Sequence, residues 1–400
     1  MEMVKSTIQS KSIYKYILVA GIVLVAMNLR PAITSIGPLV GMIQKDLGLV
    51  HWSVGFLTSL PLIAFAFVSP MVPKLAKLLS NERSLIIGLL TLLIGIIIRF
   101  VPHTVFLFTG TLFVGIGIAI CNVLLPVIVK EKFPRKFGLL TSVYSTSLTL
   151  MASVASGVSV PLASGLSLGW KNSLMIWGVP VVIAILIWIF LDKRNLGHEE
   201  RIKPTRSKGN EIWRSALAWQ IAFFFGFQSF MFYVTIAWLP EIMINRGVSL
   251  EMSGWLLSVT QLIGLPFSFI VPMIAGRFRS QQWLGVGLSI CSVIGFAGLL
   301  WNGSYTMMLL SSMSLGIGLG GCFPLGLTFI GLRARDGRQA SELSGMAQSV
   351  GYILAAIGPL FIGYLYDLTH HWTVPLITMV VISLLLVIFS VFAGREKYVY

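Results

Sequence analysis

An all-α membrane protein, with twelve transmembrane helices in two pseudo-symmetric six-helix bundles, is the fold class that the 400-residue sequence predicts. Three observations predict it. Hydrophobic residues form 56% of the chain and charged residues only 11%, with a mean hydropathy of +0.89, which leaves too little polar surface to cover a soluble globule. The apolar mass divides into twelve runs, each near the ~20 residues that a helix needs to cross a ~30 Å hydrocarbon layer. The first six runs also align with the last six.

In chain order the spans are predicted to begin near Tyr16, Trp52, Ser84, Thr104, Gly138, Asn172, Ala216, Glu251, Trp283, Tyr305, Glu342 and Val374. The first run is too long for the apolar core of a signal peptide and lacks a small-residue cleavage site, so it reads as a retained span. The one clearly polar stretch, "LDKRNLGHEERIKPTRSKGNEIWR", lies after the sixth. It predicts an N-terminal bundle over 1–192, a cytoplasmic linker over 193–214 and a C-terminal bundle over 215–400.

The halves match at fixed offsets. Shifting by 199 places Gly48 on Gly247, Gly55 on Gly254, Leu57 on Leu256, Ser59 on Ser258 and Pro73 on Pro272, and shifting by 201 places "VGIGIAIC" on "LGIGLGGC". Duplicated six-helix units with parallel repeats form transporters whose solute site lies near the membrane midplane between the halves. The glycine runs in spans four and ten fit either close helix packing or the sliding of helices during transport.

The net charge of +15 has a topological origin. With Met1 placed in the cytoplasm, 24 of the 29 lysines and arginines fall on the same side as the termini. The opposite side has only Lys45, Arg99, Lys171 and Arg246. That asymmetry predicts a multi-pass protein of the cytoplasmic membrane with both termini inside, and it removes the reason to invoke a nucleic-acid partner.

Several function classes find no support. Cys121, Cys291 and Cys322 lie in apolar spans without metal-ligand spacing. There is no Gly-x-x-x-x-Gly-Lys-[Ser/Thr] loop for a nucleotide. No nucleophile, acid and base set is evident, so an enzyme is not predicted, and neither is a cofactor.

One residue carries the chemistry. Arg30 lies about fourteen residues into the first span, ~21 Å along its axis, too deep for easy snorkelling. All fourteen acids fall in loops or at helix ends. A guanidinium at this depth costs ~2.5–3.5 kcal/mol on insertion scales and persists where it faces a cavity, a partner or a solute. Its planar fork of donors suits a small delocalised anion. The alternatives are a bond to neighbouring carbonyls and a gating role. Pro31 predicts a local bend beside it.

The 199 offset maps Arg30 onto Ser229, beside Gln228. Gln228 and Tyr233 of span seven read either as site residues or as interhelical hydrogen-bonding groups. Asn122 and Tyr144 are candidates to line the N-terminal half. Gln261, Gln348 and Tyr352 are candidates for the C-terminal half, the last two sharing a helix face. Asn28 points to a helix neighbour, and Arg99, at the outer end of span three, is expected to snorkel to water.

Five stretches together resemble the cyanate and nitroimidazole permease (CynX/NimT) branch of the major facilitator superfamily: "MNLRPAITSIGPL", "PKLAKLLSNERSL", "GIGIAICNVLLPVIVKEKFPRKFGLLTSVYSTSL", "AFFFGFQSFMFYVTIAWLP" and "GYLYDLTHHW". The resemblance covers nearly the whole chain. It implies a secondary transporter of a small anion or weak acid of cyanate type, with export of neutral nitro-heterocycles as the alternative. It also implies a monomer in the lipid bilayer whose partner is a small-molecule solute, with a coupled proton left open. One departure stands out. Where the superfamily's loop between spans two and three usually has a Gly, an Asp and an Arg-rich end, this chain has Pro73, Lys77 and Asn81, leaving Arg83.

Overall fold

The computed structural model describes residues 2–49, 51–195, 211–301 and 304–399, so most of the predicted linker lies outside the described residues. Among these, twelve helices are long and apolar enough to cross a membrane: Tyr14–Leu39, Ser59–Leu79, Asn81–Ile98, Thr104–Lys132, Pro134–Gly165, Gly169–Lys193, Ala216–Asn245, Trp255–Ala275, Gln282–Leu300, Tyr305–Arg333, Gly337–Thr369 and Thr373–Ala393. They are called spans one to twelve below. Among the described residues every regular element is a helix, as predicted.

Two compact units emerge, and they are not simply the two halves. One comprises Met1–Leu125 and Ser147–Gly209, and the other Pro126–Thr146 and Asn210–Tyr400. The reassigned stretch is the end of span four, the turn after it and the start of span five. Small residues hold it in the second unit: Phe137 lies over Gly331, and Gly138 lies against Gly276 and the carbonyl of Pro272. Ser145 Oγ adds a hydrogen bond to the carbonyl of Ser268 at 3.0 Å.

Inside each unit the glycine runs make the same contacts. In the first, a side chain on Gly115 would meet Pro61 Cα at 2.9 Å and Ala64 Cβ at 2.8 Å, and one on Gly117 would meet Gly88 O at 2.5 Å. In the second, Gly316 faces Thr260 and Ile263, and Gly318 faces Leu288 and Ser292. Thr260 and Ile263 are the 199-offset counterparts of Pro61 and Ala64, and Leu288 is that of Gly88 at an offset of 200. The duplication seen in sequence is therefore a duplication of helix contacts, with backbones brought together where a side chain would hold them apart.

The first span is not one helix. Its segments are Glu2–Leu29, Pro31–Thr34 and Ile36–Leu47, with Arg30 and Ser35 at the joints. Pro31 cannot donate to a carbonyl one turn back, and the helix yields there. Beyond the break, Ile36, Leu39 and Ile43 join Leu57, Leu107, Trp170 and Leu174 in a buried apolar cluster of the first unit. The departure between spans two and three also has a local solution. Ser80, at φ 93°, caps span three by accepting from the Arg83 amide, and Arg83 Nε pairs with Asp192 at 3.4 Å.

At the end of the second unit that carries the C-terminus, Arg333 is only 4% exposed. It donates to the carbonyls of Ala393 at 3.2 Å and Gly394 at 3.0 Å, and to Gln281 Oε1. Gln281 Nε2 in turn donates to Ala275 O at 3.0 Å, while Val399 N returns to Arg333 O at 3.0 Å. One guanidinium thus ties together the ends of spans nine, ten and twelve and, through Gln281, span eight. Gln281→Leu deprives a buried charge of an acceptor and should lower stability by about 1–3 kcal/mol. Thermal unfolding in detergent measures this, with solute affinity expected to stay unchanged.

Candidate solute site

Arg30 sits at the first joint of span one and is partly exposed. The backbone around it is tied to other helices of the first unit through the side chains of Asn28, Thr34 and Arg99. Asn28 Nδ2 donates to Leu24 O at 2.7 Å and to Pro180 O at 3.1 Å, the helix neighbour expected for it. Thr34 Oγ1 lies 3.1 Å from Arg30 O and 3.2 Å from Ala152 O. Arg99 Nη1 donates to Ala32 O at 2.6 Å. A break in a span exposes carbonyls that only internal donors can satisfy in an apolar surround, and Arg99 supplies one to Ala32 O.

Arg99 corrects the sequence reading. It does not snorkel, being 1% exposed, and its Nε donates to Thr111 Oγ1 at 3.0 Å. The carbonyl of Ala32 is a stronger attraction than the interface because a buried carbonyl freed by a helix break has no water to turn to. A sequence signal existed in the small residues around it. Gly110 leaves the space that Arg99 Cγ fills, where a Cβ would come within 2.8 Å.

The other candidates divide between the units. Asn122, in the first unit with Arg30, is partly exposed on span four. Tyr144 is 1% exposed beside Thr141 and belongs to the segment grouped with the second unit. Tyr233 and Gln261 are partly exposed on spans seven and eight, with Tyr233 edge-on to Phe232.

Gln228, Gln348 and Tyr352 are at most 2% exposed and lie on one helix pair, spans seven and eleven. These spans approach closely at Gly226 and Gly351, and the Tyr352 ring stands edge-on to Phe225 at 5.8 Å. Gln348 Nε2 donates to Ser344 Oγ at 2.9 Å. Gln228 Oε1 accepts from Ser229 Oγ at 3.2 Å, while its Nε2 is buried without a hydrogen-bond partner. A buried amide left half-satisfied is a polar group awaiting a partner.

A pocket of the second unit contains none of the eight candidates; Val234, Thr235, Phe296 and Met379 are among its walls. The hydroxyl of Thr235 is already spent on Met231 O at 2.7 Å, so the pocket offers apolar contact rather than recognition of charge. Chemically, the first unit supplies a permanent cation on a fixed bend. The second supplies an amide donor and aromatic faces.

Comparison with known proteins agrees with this architecture. Residues 19–356 match the family model of the Major Facilitator Superfamily. Among curated relatives, an uncharacterized transporter, YycB, of Bacillus subtilis (strain 168) is 43% identical, covering 98% of this chain and 96% of the relative. The 2-nitroimidazole transporter of Escherichia coli (strain K12) is 37% identical over 96% of each chain. The cyanate transport protein CynX of the same organism is 27% identical, over 88% of this chain and 90% of CynX. Among solved structures, the proton:xylose symporter XylE superposes with a TM-score of 0.78 over 97% of this chain and 98% of XylE, at 13% identity, a likeness of fold alone. The chain is a membrane transporter, not an enzyme, and belongs to the CynX/NimT branch of the major facilitator superfamily.

Proposed function

We propose that this transporter carries a small anion or weak acid of cyanate type across the cytoplasmic membrane by alternating access, with Arg30 as the group that complements its charge. The supporting observation is the placement of Arg30: a permanent cation, partly exposed, on a bend in span one whose backbone is fixed by Asn28, Thr34 and Arg99. A preformed cation of this kind needs little rearrangement to bind an anion. The name of CynX supports the same solute class. In this reading Asn122, Tyr144, Gln228, Tyr233, Gln261, Gln348 and Tyr352 are further solute-binding residues, both termini are cytoplasmic and the monomer is the working unit. A coupled proton, if carried on a side chain, would use an acid at a helix end such as Asp46 or Glu241.

A second reading has its own observation in favour. Identity to the 2-nitroimidazole transporter is higher, at 37% against 27% for CynX. Here the solute is a neutral nitro-heterocycle moving outward, with Arg30 donating to the nitro group and aromatic side chains holding the ring.

A thermal-shift series on the purified protein separates the two. A ligand that binds only the folded state adds ~2.7 kcal/mol of stability at a hundred times its dissociation constant. Cyanate is expected to raise the melting temperature in a saturable way, with 2-nitroimidazole inert. The reverse pattern would install the second reading.

A further inference from the structure

Arg99 is an expensive residue to bury. It is 1% exposed, its contacts are a hydroxyl and a backbone carbonyl, and its Nη2 is buried with no hydrogen-bond partner. Buried charges satisfied this incompletely are often replaced by apolar residues of similar size with no loss of stability. Stability is therefore a poor reason for an arginine at this position, and geometry offers a better one.

Nη1 holds Ala32 O at 2.6 Å, and Ala32 lies in the four-residue helix Pro31–Thr34 directly after Arg30. A helix of one turn does not sustain itself, because nucleation fixes several residues for a single hydrogen bond. Its direction is set from outside. Thr34 grips its far end through Ala152 O, and Asn28 grips the preceding helix through Pro180 O. Arg99 is a charged grip, and the carbonyl that it holds is two residues from Arg30. The other end of the guanidinium is aimed by Thr111, whose hydroxyl takes Nε at 3.0 Å and donates to Leu107 O at 2.7 Å. The chain Leu107–Thr111–Arg99–Ala32 thus runs from the rigid fourth span to the bend.

We propose that Arg99 is a positioning residue for Arg30, fixing through the Ala32 carbonyl the direction in which Arg30 is presented to an anionic solute. The proposal rests on the reading of Arg30 as the solute-binding cation. It predicts that solute affinity, rather than the fold, depends on Arg99.

The test uses the full chain in proteoliposomes with radiolabelled cyanate. Arg99→Met is expected to raise KM about tenfold with the maximal rate within about twofold and the melting temperature unchanged or higher. Arg99→Lys, which keeps the charge but cannot grip Thr111 and Ala32 together, should fall between. In an Arg30→Lys background the Arg99→Met effect should largely vanish, because residues that act through one another are not additive. If Arg99→Met does not fold, Thr111→Val removes the aiming contact alone and should raise KM about threefold. An unchanged KM in Arg99→Met, or in Thr111→Val where that variant stands in, beside lost transport in Arg30→Lys overturns the positioning role and leaves the Arg30 reading intact. Additive effects of the two substitutions overturn it as well. Cyanate transport unaffected by either arginine removes the Arg30 reading and the positioning role with it.

Discussion

Arg30→Lys is expected to reduce cyanate flux about 10- to 100-fold, and Arg30→Ala to abolish it. A hydrogen bond to a charged group is worth about 1.5–3 kcal/mol, which corresponds to about that range of affinity. Lysine retains the charge but loses the planar fork, presenting a compact ammonium where two parallel donors would meet a delocalised anion. Counterflow in proteoliposomes at matched protein density measures the loss. Arg30→Lys at the parental rate would refute the proposed role of the fork. If 2-nitroimidazole rather than cyanate is the solute, the lysine variant should lose less, because a neutral nitro group needs a donor but no charge.

The second large effect concerns the fold. Gly117→Ala is expected to destabilise the protein by at least ~2 kcal/mol, because the added carbon would stand 2.5 Å from both Gly88 O and Leu92 N, backbone atoms with nowhere to go. The companion Gly318→Ala should do the same, since its new carbon would meet Leu288 O at 2.8 Å. Gly157 supplies the control. A Cβ there meets nothing within 4 Å, so Gly157→Ala should be neutral or stabilising by up to ~1 kcal/mol through helix propensity. Thermal unfolding of the three variants in one detergent gives the comparison. Equal melting temperatures would mean that the glycine runs are dispensable to packing.

Much of this organisation was legible in the residues. Twelve apolar runs announce twelve helices because no water is present to satisfy an irregular backbone in the bilayer. The repeated "GIG" pattern announced a repeated helix contact, since only small residues allow such an approach. Arg30 was conspicuous for the same kind of reason: a charge in an apolar run costs too much to be incidental. Pro31 marked the bend, although not the second joint at Ser35.

Other features had no partner that could be read in the sequence. Arg99 bonds to Ala32 O and Arg333 to the carbonyls of Ala393 and Gly394, acceptors that every residue has. A cation held by carbonyls therefore has no partner letter to find in the sequence, unlike the Arg83 and Asp192 pair. The placement of Pro126–Thr146 with the second unit was equally hidden, because Phe137 and Gly138 look unremarkable until Gly331 and Gly276 are brought to them.

The amino-acid order alone determined the class, the number of spans, the internal duplication and the presence of a cation inside the first apolar run. These follow from free energies of transfer and close approach that act residue by residue along the chain. Only the tertiary structure decided that the first span breaks a second time at Ser35, what holds the break and which buried arginine is tied to it. Those depend on backbone atoms from helices distant in sequence, and identical carbonyls become different partners only once the fold has placed them.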